Sequence, residues 1–383
     1  MIGRHPILPL ALLLTAAAPV PTASDYAADA RDLGSLIAAN YAYLDDLPGG
    51  VVPTSPALNA EREAVHDAAT LLHYAEDLIA ALADHHALTG KSFEDDWAIV
   101  PTYADLWIVM HDGRYVIDAV KPDSPAAAAG IRAGQVLSAV DGVPTERAVA
   151  AYWARLGLEP TGARAAFAAR VLGAGRRDRQ RHLTIDTRAV TLASLYESHV
   201  DRPPVTVSQA GGATVIRFNN ALGDAATIAA FDTAMAAVAP RARVELDLTD
   251  TPSGGNTSVA RAIMGWFVTR AMPYQMHTLP AEERETGIAR QWVEMVLPRA
   301  GKSHPGPVNV RVGRWTGSVG EGLAVGFVAL GKPVCGSRMA GLKGAVYDFD
   351  LPRTGVRVKF PAERLDTVAG QPRQDYAPVD CRP

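Results

Sequence analysis

Apolar and polar residues alternate with two different periods along this chain, and each period predicts a different kind of element. Between residues 25 and 87 apolar side chains recur every three or four positions, as Leu71 and Leu78 illustrate. This spacing predicts alanine-rich helices, one of which begins near Glu61. Gly90 is a natural stop for the helical stretch. We therefore expect an N-terminal region that is helical.

The period shortens after residue 100, where strands are predicted. Residues 106–110 and 115–120 are apolar runs on either side of Asp112-Gly113, a dipeptide typical of tight hairpin turns. Residues 121–144 then combine a serine-capped short helix with a strand that ends at the turn Asp141-Gly142. This part of the chain is expected to be a small module rich in β-strands.

Beyond the proline-containing linker at residues 202–204, predicted strands alternate with predicted helices. Such alternation is typical of an α/β domain with parallel strands. The strands are expected at 213–218, 243–248 and 308–312, the helices at 227–238, after residue 257 and after residue 318, and a longer insertion at 273–307.

Two of the strand-to-helix turns carry residues suited to chemistry. Gly254-Gly255-Asn256 follows one strand, and residues 316–321, which contain Ser318, follow another. Ligand sites in open α/β sheets collect at the carboxyl ends of strands. A helix start also offers free N–H groups that suit an oxyanion. Ser318 fits a nucleophile in this position, and it fits a simple helix N-cap equally well.

Length, charge and the N-terminus narrow the classes of function. A chain of 383 residues with a net charge of −4 predicts two or three domains and gives no reason to expect nucleic acid as a partner. Residues 1–24 combine basic Arg4, an apolar run and small residues, which is typical of a secretory signal peptide. We expect cleavage near Ser24, a mature protein that begins near Asp25 in the periplasm or medium, and no further membrane segment.

The chain has two cysteines, Cys335 and Cys381. In an exported protein they are able to form one disulfide, whereas Cys335 also suits a small buried position in a strand. Two isolated cysteines are too few for a metal site.

The run at residues 121–144 resembles the PDZ domain, because its Ser-Pro-Ala helix start, Ala-Gly-Ile, Gly134 and Asp-Gly turn follow in order. PDZ domains bind a peptide as an added strand and hold its carboxylate in a backbone loop. The resemblance implies that Leu106 and Trp107 lie at this substrate-binding loop.

A larger set of motifs resembles the C-terminal-processing and tricorn-core serine peptidases. In chain order these motifs are Asp84-His85-His86, the PDZ-like module, Gly254-Gly255 and the run at residues 316–321. The resemblance implies a multidomain α/β protein. Its regions would be an N-terminal helical region (25–100), a PDZ-like domain (101–195) and a serine peptidase core with a crotonase-like ββα spiral (205–383).

The same resemblance assigns roles at the site. Ser318 would be the nucleophile and His86 the general base, while backbone N–H groups of Gly255 and Val319 would bind the oxyanion. Either Asp375 or Glu363 would supply the acidic partner of the histidine. The lysine-dyad branch of the family is the alternative, with Lys332 and Lys343 downstream of the serine.

The resulting hypothesis is an exported serine endopeptidase that hydrolyses peptides or unfolded protein tails. It requires no metal and no organic cofactor. Two alternatives stay open: a non-catalytic peptide-binding protein on the same scaffold, and a different acyl-transfer or hydratase chemistry on a crotonase-like core.

Overall fold

The N-terminal region consists of helices that pack around buried leucines. We analysed a computed structural model that describes residues 20–97, 100–197 and 201–381, so most of the expected signal peptide lies outside the described residues. Arg353 forms an ion pair with Asp29, which is buried on the first helix, and so ties this region to the C-terminal part of the chain. The elements are α1 (Ala23–Asn40), α2 (Pro56–Ala64), α3 (Ala68–Ala81) and the short strand β1 (Leu88–Thr89).

The helix expected to begin near Glu61 is two helices. The α2 helix ends at Ala64, and Val65 has the extended dihedrals φ −66° and ψ 125°. Asp67 then caps α3 by accepting the N–H of Thr70 at 2.8 Å. Aspartate competes for backbone N–H groups and favours such a start, which the apolar period alone does not reveal.

The middle of the chain forms two small antiparallel sheets with three helices. Asp112 and Gly113 both have positive φ, at 47° and 72°, as a tight hairpin requires. One sheet pairs β2 with β3, and the other has the order β5-β4-β6-β7. The elements are β2 (Leu106–His111), β3 (Arg114–Val120), α4 (Pro125–Ala128), β4 (Leu137–Val140), β5 (Val143–Pro144), α5 (Thr145–Ala154), α6 (Gly162–Ala174), β6 (Arg181–Ile185) and β7 (Arg188–Leu192).

The C-terminal part of the chain contains two five-stranded sheets. The first has the order β14-β13-β10-β9-β8; its neighbours are parallel except for the β8–β9 pair. The second has the path β1-β16-β11-β12, with β15 paired to β16. The elements are β8 (Val205–Ala210), β9 (Ala213–Phe218), α7 (Ala225–Ala236), β10 (Arg243–Asp247), α8 (Thr257–Met264), β11 (Met272–Thr278), α9 (Pro280–Thr286), β12 (Gln291–Val296), β13 (Val308–Val312), α10 (Val319–Ala329), β14 (Val334–Gly336), β15 (Ala345–Asp350) and β16 (Arg357–Asp366).

The α10 helix lies in the centre of this part of the molecule. Residues 320–327 are all buried, as expected for a helix with apolar neighbours on every side. Its Leu323 and Phe327 join the apolar cluster that also contains Val310 of β13 and Tyr274 of β11. The N-terminus of α10 is therefore fixed by packing from both sheets.

Strand β1 joins the N-terminal region to the C-terminal sheet. Leu88 pairs with Lys359 and Thr89 with Val358 of β16. Because β1 follows α3 closely, this pairing also fixes the position of the segment between them. Within the C-terminal part, a disulfide joins Cys335 to Cys381, which resolves the alternatives left open for these residues.

No helix of the described residues is long and apolar enough to cross a membrane.

Candidate active site

The turn between β13 and α10 presents Ser318 in an unusual backbone conformation. Ser318 has φ 55° and ψ −115°, a region that side chains with a Cβ rarely adopt. Strain of this kind persists only where the surroundings impose it, and it occurs mostly at functional sites. Here Thr316 donates its hydroxyl to the Leu248 carbonyl at 2.6 Å, and the Gly317 N–H donates to the Thr251 carbonyl at 3.0 Å.

Gly317 lets three segments meet at this turn. A Cβ at this position would lie 2.7 Å from Cγ2 of Thr102 and 3.3 Å from the backbone nitrogen of Ser253. Any side chain would therefore separate the serine turn from the double-glycine turn. Glycine is required because of this close approach.

The two turns predicted to bind an oxyanion do lie against each other. A Cβ on Gly255 would come within 2.6 Å of the Val319 Cβ. Neither the Gly255 N–H nor the Val319 N–H donates to another group within the described residues. Val319 is also the first residue of α10, where backbone N–H groups and the helix dipole favour negative charge.

His86 lies in a turn that follows α3. Ala83, two residues beyond the end of α3, has a positive φ of 51°. The carboxylate of buried Asp84 accepts the backbone N–H of His86 at 2.9 Å and the hydroxyl of Tyr41 at 2.8 Å. The Asp84-x-His86 spacing thus fixes the turn rather than the imidazole ring.

The ring contacts of His86 define its tautomer. Nδ1 lies 2.6 Å from the backbone carbonyl oxygen of Lys343, and a carbonyl only accepts, so Nδ1 carries the proton. Nε2 is then the acceptor, and it lies 3.4 Å from the hydroxyl of Ser253. Burial lowers the pKa of His86 to about 4, with the charge of Arg373 acting in the same direction. At neutral pH the side chain is an uncharged imidazole able to accept a proton.

Ser253 is the site residue that the sequence patterns did not single out. It is buried in the turn between β10 and α8, where Tyr103 donates its hydroxyl to the Ser253 carbonyl at 2.6 Å. Within the described part of the chain, no hydrogen bond joins Ser318 to His86, and Ser253 is the hydroxyl at Nε2. In the sequence, the feature that could have identified Ser253 is its position directly before Gly254-Gly255.

Neither acidic residue expected beside His86 forms a hydrogen bond with it. Asp375 is exposed in a short 3-10 turn. Glu363 is buried, but its carboxylate binds Nδ1 of His277 at 2.7 Å and the hydroxyl of Tyr347. The structure thus corrects the expected acidic partner, because β16 directs the Glu363 side chain towards β11 and β15.

The amine of Lys343 also points away from the serine turn. Its Nζ lies 3.1 Å from Asp46 and 4.8 Å from the ring centre of Tyr43. The contribution of Lys343 to the site is its main-chain carbonyl.

His85 and His86 point in different directions. The ring of His85 stacks on Phe167 at 4.3 Å and lines a cavity of about 1090 Å³. The cavity extends from the N-terminal region to Tyr103 and Pro252, next to the turn that contains Ser253.

Leu106 and Trp107 do not present their side chains as a binding surface. Each is 2% exposed in β2. Trp107 lies between the guanidinium groups of Arg170 and Arg314, at 5.2 and 5.4 Å from its ring centre, and Arg170 also donates to the Ile108 carbonyl at 2.9 Å. A substrate contact at these two residues would therefore have to use their backbone, and it stays a prediction.

His277 forms a charged cluster beside β16 that is separate from His86. Burial by itself lowers the pKa of His277, but hydrogen bonds to Glu294 and Glu363 outweigh it and raise the pKa to about 9. Between pH 6.5 and about 9, His277 is therefore protonated in the folded protein and mostly unprotonated in the unfolded chain.

This difference predicts a loss of stability at alkaline pH. The contribution of His277 is complete below pH 6.5 and disappears as the pH rises to about 9. Urea unfolding should show His277→Gln well below the wild type at pH 6, and the gap should shrink by pH 9.5. Exposed His66→Gln is the control; an equal gap at both pH values would contradict the prediction.

Residues 20–97, 100–197 and 201–381 include no group of three His, Cys, Asp or Glu side chains arranged to hold a metal ion.

Comparisons with known proteins agree with this architecture. Residues 116–166 match the PDZ domain, inside the range of 101–195 that the sequence predicted. The solved photosystem II D1 C-terminal processing protease is similar over 93% of this chain and 93% of its own, with 18% identity and a TM-score of 0.57. The chain therefore shares the fold of this processing protease. Mature CPAF is similar over 94% of this chain and 92% of its own, at 14% identity and a TM-score of 0.57.

The processing-protease fold confirms the resemblance inferred from the ordered motifs and the multidomain α/β class. No curated protein matches the sequence.

Proposed function

We propose that this protein is a serine peptidase with Ser318 as the nucleophile and His86 as the general base. The observation that carries the proposal is the assembly of three distant turns. The strained Ser318 turn packs on residues 251–255, and the acceptor nitrogen of His86 faces that same turn. The similar structure of the photosystem II D1 C-terminal processing protease supports a peptide or protein substrate.

In this mechanism Oγ of Ser318 bonds to the scissile carbonyl carbon while its O–H bond breaks. The proton passes to Nε2 of His86, which later donates it to the leaving amine. The N–H groups of Gly255 and Val319 stabilise the oxyanion. Water then releases the acyl group from Ser318 with the same proton transfers in reverse order.

The carbonyl of Lys343 acts where a triad would have a carboxylate. It accepts Nδ1–H and so keeps Nε2 unprotonated. When His86 becomes an imidazolium ion, this bond becomes charge-assisted and stronger. A neutral oxygen stabilises the cation less than a carboxylate does, in agreement with the lowered pKa of His86.

A non-catalytic peptide-binding protein is the second candidate. The absence of a Ser318–His86 hydrogen bond among the described residues favours it. In free serine peptidases such bonds are often long and tighten only when substrate binds, so this absence does not outweigh the assembled site.

Labelling with a fluorophosphonate probe separates the two candidates. We expect one adduct, on Ser318, because this reagent reacts with activated serines. After reduction and trypsin digestion Ser318 lies in the peptide 315–338 and Ser253 in the peptide 244–261, so mass spectrometry identifies the labelled serine. Ser337→Ala is the control within the first peptide. No adduct would support the binding protein, and an adduct on Ser253 would move the nucleophile to the other turn.

We also propose that the protein is exported. The signal-peptide pattern of residues 1–24 supports this, and the expected start near Asp25 would leave nearly all of α1 in place. N-terminal sequencing of protein from the periplasm or medium should begin near residue 25. An intact Met1 would contradict export by this route.

A further inference from the structure

The loop at residues 341–344 connects the nucleophile, the base and the C-terminal segment. The N–H groups of Gly341 and Leu342 donate to Glu321 at 2.8 and 3.2 Å, and Glu321 also accepts the N–H of Ser318 at 2.8 Å. The carbonyl of Lys343 holds His86. The position of this loop therefore fixes both reacting groups relative to each other.

Arg373 binds this loop from the other side. Its guanidinium Nη2 donates to the carbonyls of Leu342 and Gly344, both at 3.0 Å, and the residue is 2% exposed. These two carbonyls flank the one that holds His86. With both neighbours fixed, the peptide group of Lys343 has little freedom to rotate.

The segment that carries Arg373 is itself anchored. The disulfide ties Cys381 to Cys335 of β14, and the N–H of Gly336 donates to the Val379 carbonyl at 2.9 Å. The anchor lies within eight residues of Arg373 along the chain. A buried arginine on an anchored segment is suited to hold other groups in place, because it loses little additional freedom when it binds them.

We propose that Arg373 is a positioning residue for catalysis: by holding the carbonyls on both sides of Lys343, it orients the imidazole of His86 in the absence of a triad carboxylate. This inference rests on the proposed function, since it assumes that His86 is the base. It assigns to an arginine and a main-chain carbonyl the task that an acidic side chain performs in a Ser-His-Asp triad.

Two variants separate the geometry of Arg373 from its charge. The charged side chains that face His86 are Asp84, in its own turn, and Arg373, from the C-terminal segment. Arg373→Gln removes the charge and part of the hydrogen bonding. Arg373→Lys keeps the charge but lacks Nη2, the guanidinium nitrogen that donates to both carbonyls.

Kinetics over a range of pH test the proposal. We expect Arg373→Gln to lower kcat by about 10²-fold with a nearly unchanged KM, the size that follows a displacement of about 1 Å at a reacting group. The acid limb of its kcat/KM profile should move to higher pH, because a positive charge near His86 is gone. Arg373→Lys should lose kcat but keep the acid limb of the wild type. Added guanidinium ion should restore part of the activity of Arg373→Ala.

Arg299→Gln is the matched control for a merely structural effect. Arg299 also binds a main-chain carbonyl, that of Ala262, together with Asp232. This variant should lower the melting temperature and leave the pH profile unchanged. If Arg373→Gln behaves in the same way, Arg373 is structural and the proposal is wrong.

NMR of the histidine rings gives a readout that does not depend on activity. In the wild type His86 should show the Nδ1–H tautomer, and in Arg373→Gln this preference should weaken. An unchanged tautomer and titration in a folded variant would overturn the proposal. Different experiments would show that the proposed function is wrong: Ser318→Ala would keep full activity, or the fluorophosphonate probe would form no adduct.

Discussion

Replacing Ser318 with alanine is expected to remove nearly all hydrolysis of an unfolded protein substrate. In the proposed mechanism the variant lacks the oxygen that attacks the carbonyl, so kcat should fall by about 10⁶-fold, the size seen when a nucleophile that works with a base is deleted. Fluorophosphonate labelling should vanish with it. The melting temperature should fall slightly, since alanine removes the capping contact that the half-buried Ser318 side chain makes at the start of α10.

His86→Ala should cost a similar factor, and the double variant should cost little more. The two residues act as a unit, so the second deletion removes nothing that still functions. His85→Ala is the matched control, because its ring stacks on Phe167 outside the Ser253 turn. In the wild type kcat/KM should fall only as the pH drops through about 4, where His86 gains a proton.

Additive losses from Ser318→Ala and His86→Ala would show that the two residues do not cooperate. Full activity of His86→Ala would return attention to the lysine-dyad alternative. In that case Lys343 would have to leave Asp46 to reach the serine turn.

Glu321→Gln should be the next most damaging substitution. The glutamine has nearly the same size, but its amide presents N–H groups to a position where three main-chain N–H groups already point. Lost hydrogen bonds to a buried carboxylate cost about 1.5–3 kcal/mol each. We expect a lower melting temperature together with a decrease in kcat of about 10²-fold, because the Ser318 turn and the loop that holds His86 shift together.

Glu363→Gln tests whether this loss is specific. Glu363 is also a buried carboxylate, but it binds His277 and Tyr347. Its variant should be destabilised with kcat close to that of the wild type. Equal decreases in kcat for both glutamates would restore Glu363 as the acidic partner of His86 and contradict the site described above.

Local sequence predicted those features that depend on neighbouring residues. The glycine-flanked serine between β13 and α10 and the Asp112-Gly113 hairpin both follow from short-range preferences. The helix for which Gly90 was the expected stop ends earlier, at Ala81. The approach of Gly255 to Val319 followed from a rule about the carboxyl ends of parallel strands. The order of the motifs along the chain was enough to predict the fold class.

The remaining parts of the site depend on contacts between distant residues. The group that orients His86 is a main-chain carbonyl, and no residue type marks such a group in a sequence. Glu363 had the residue type expected of a triad acid, but its carboxylate binds His277 of β11 and Tyr347 of β15. Trp107 suited a binding loop by position, yet two arginines from α6 and the serine turn enclose it.

The link between β1 and β16 has a consequence for biosynthesis. His86 is made early, but β16, which pairs with β1 next to it, is the last of the described strands to be made. The serine at residue 318 and the loop near 343 are also made long after His86, and Arg373 is made after β16. A chain on the ribosome, or one truncated before β16, should therefore hydrolyse nothing. Under the proposed function, hydrolysis would begin only after the C-terminal segment with Arg373 has been made.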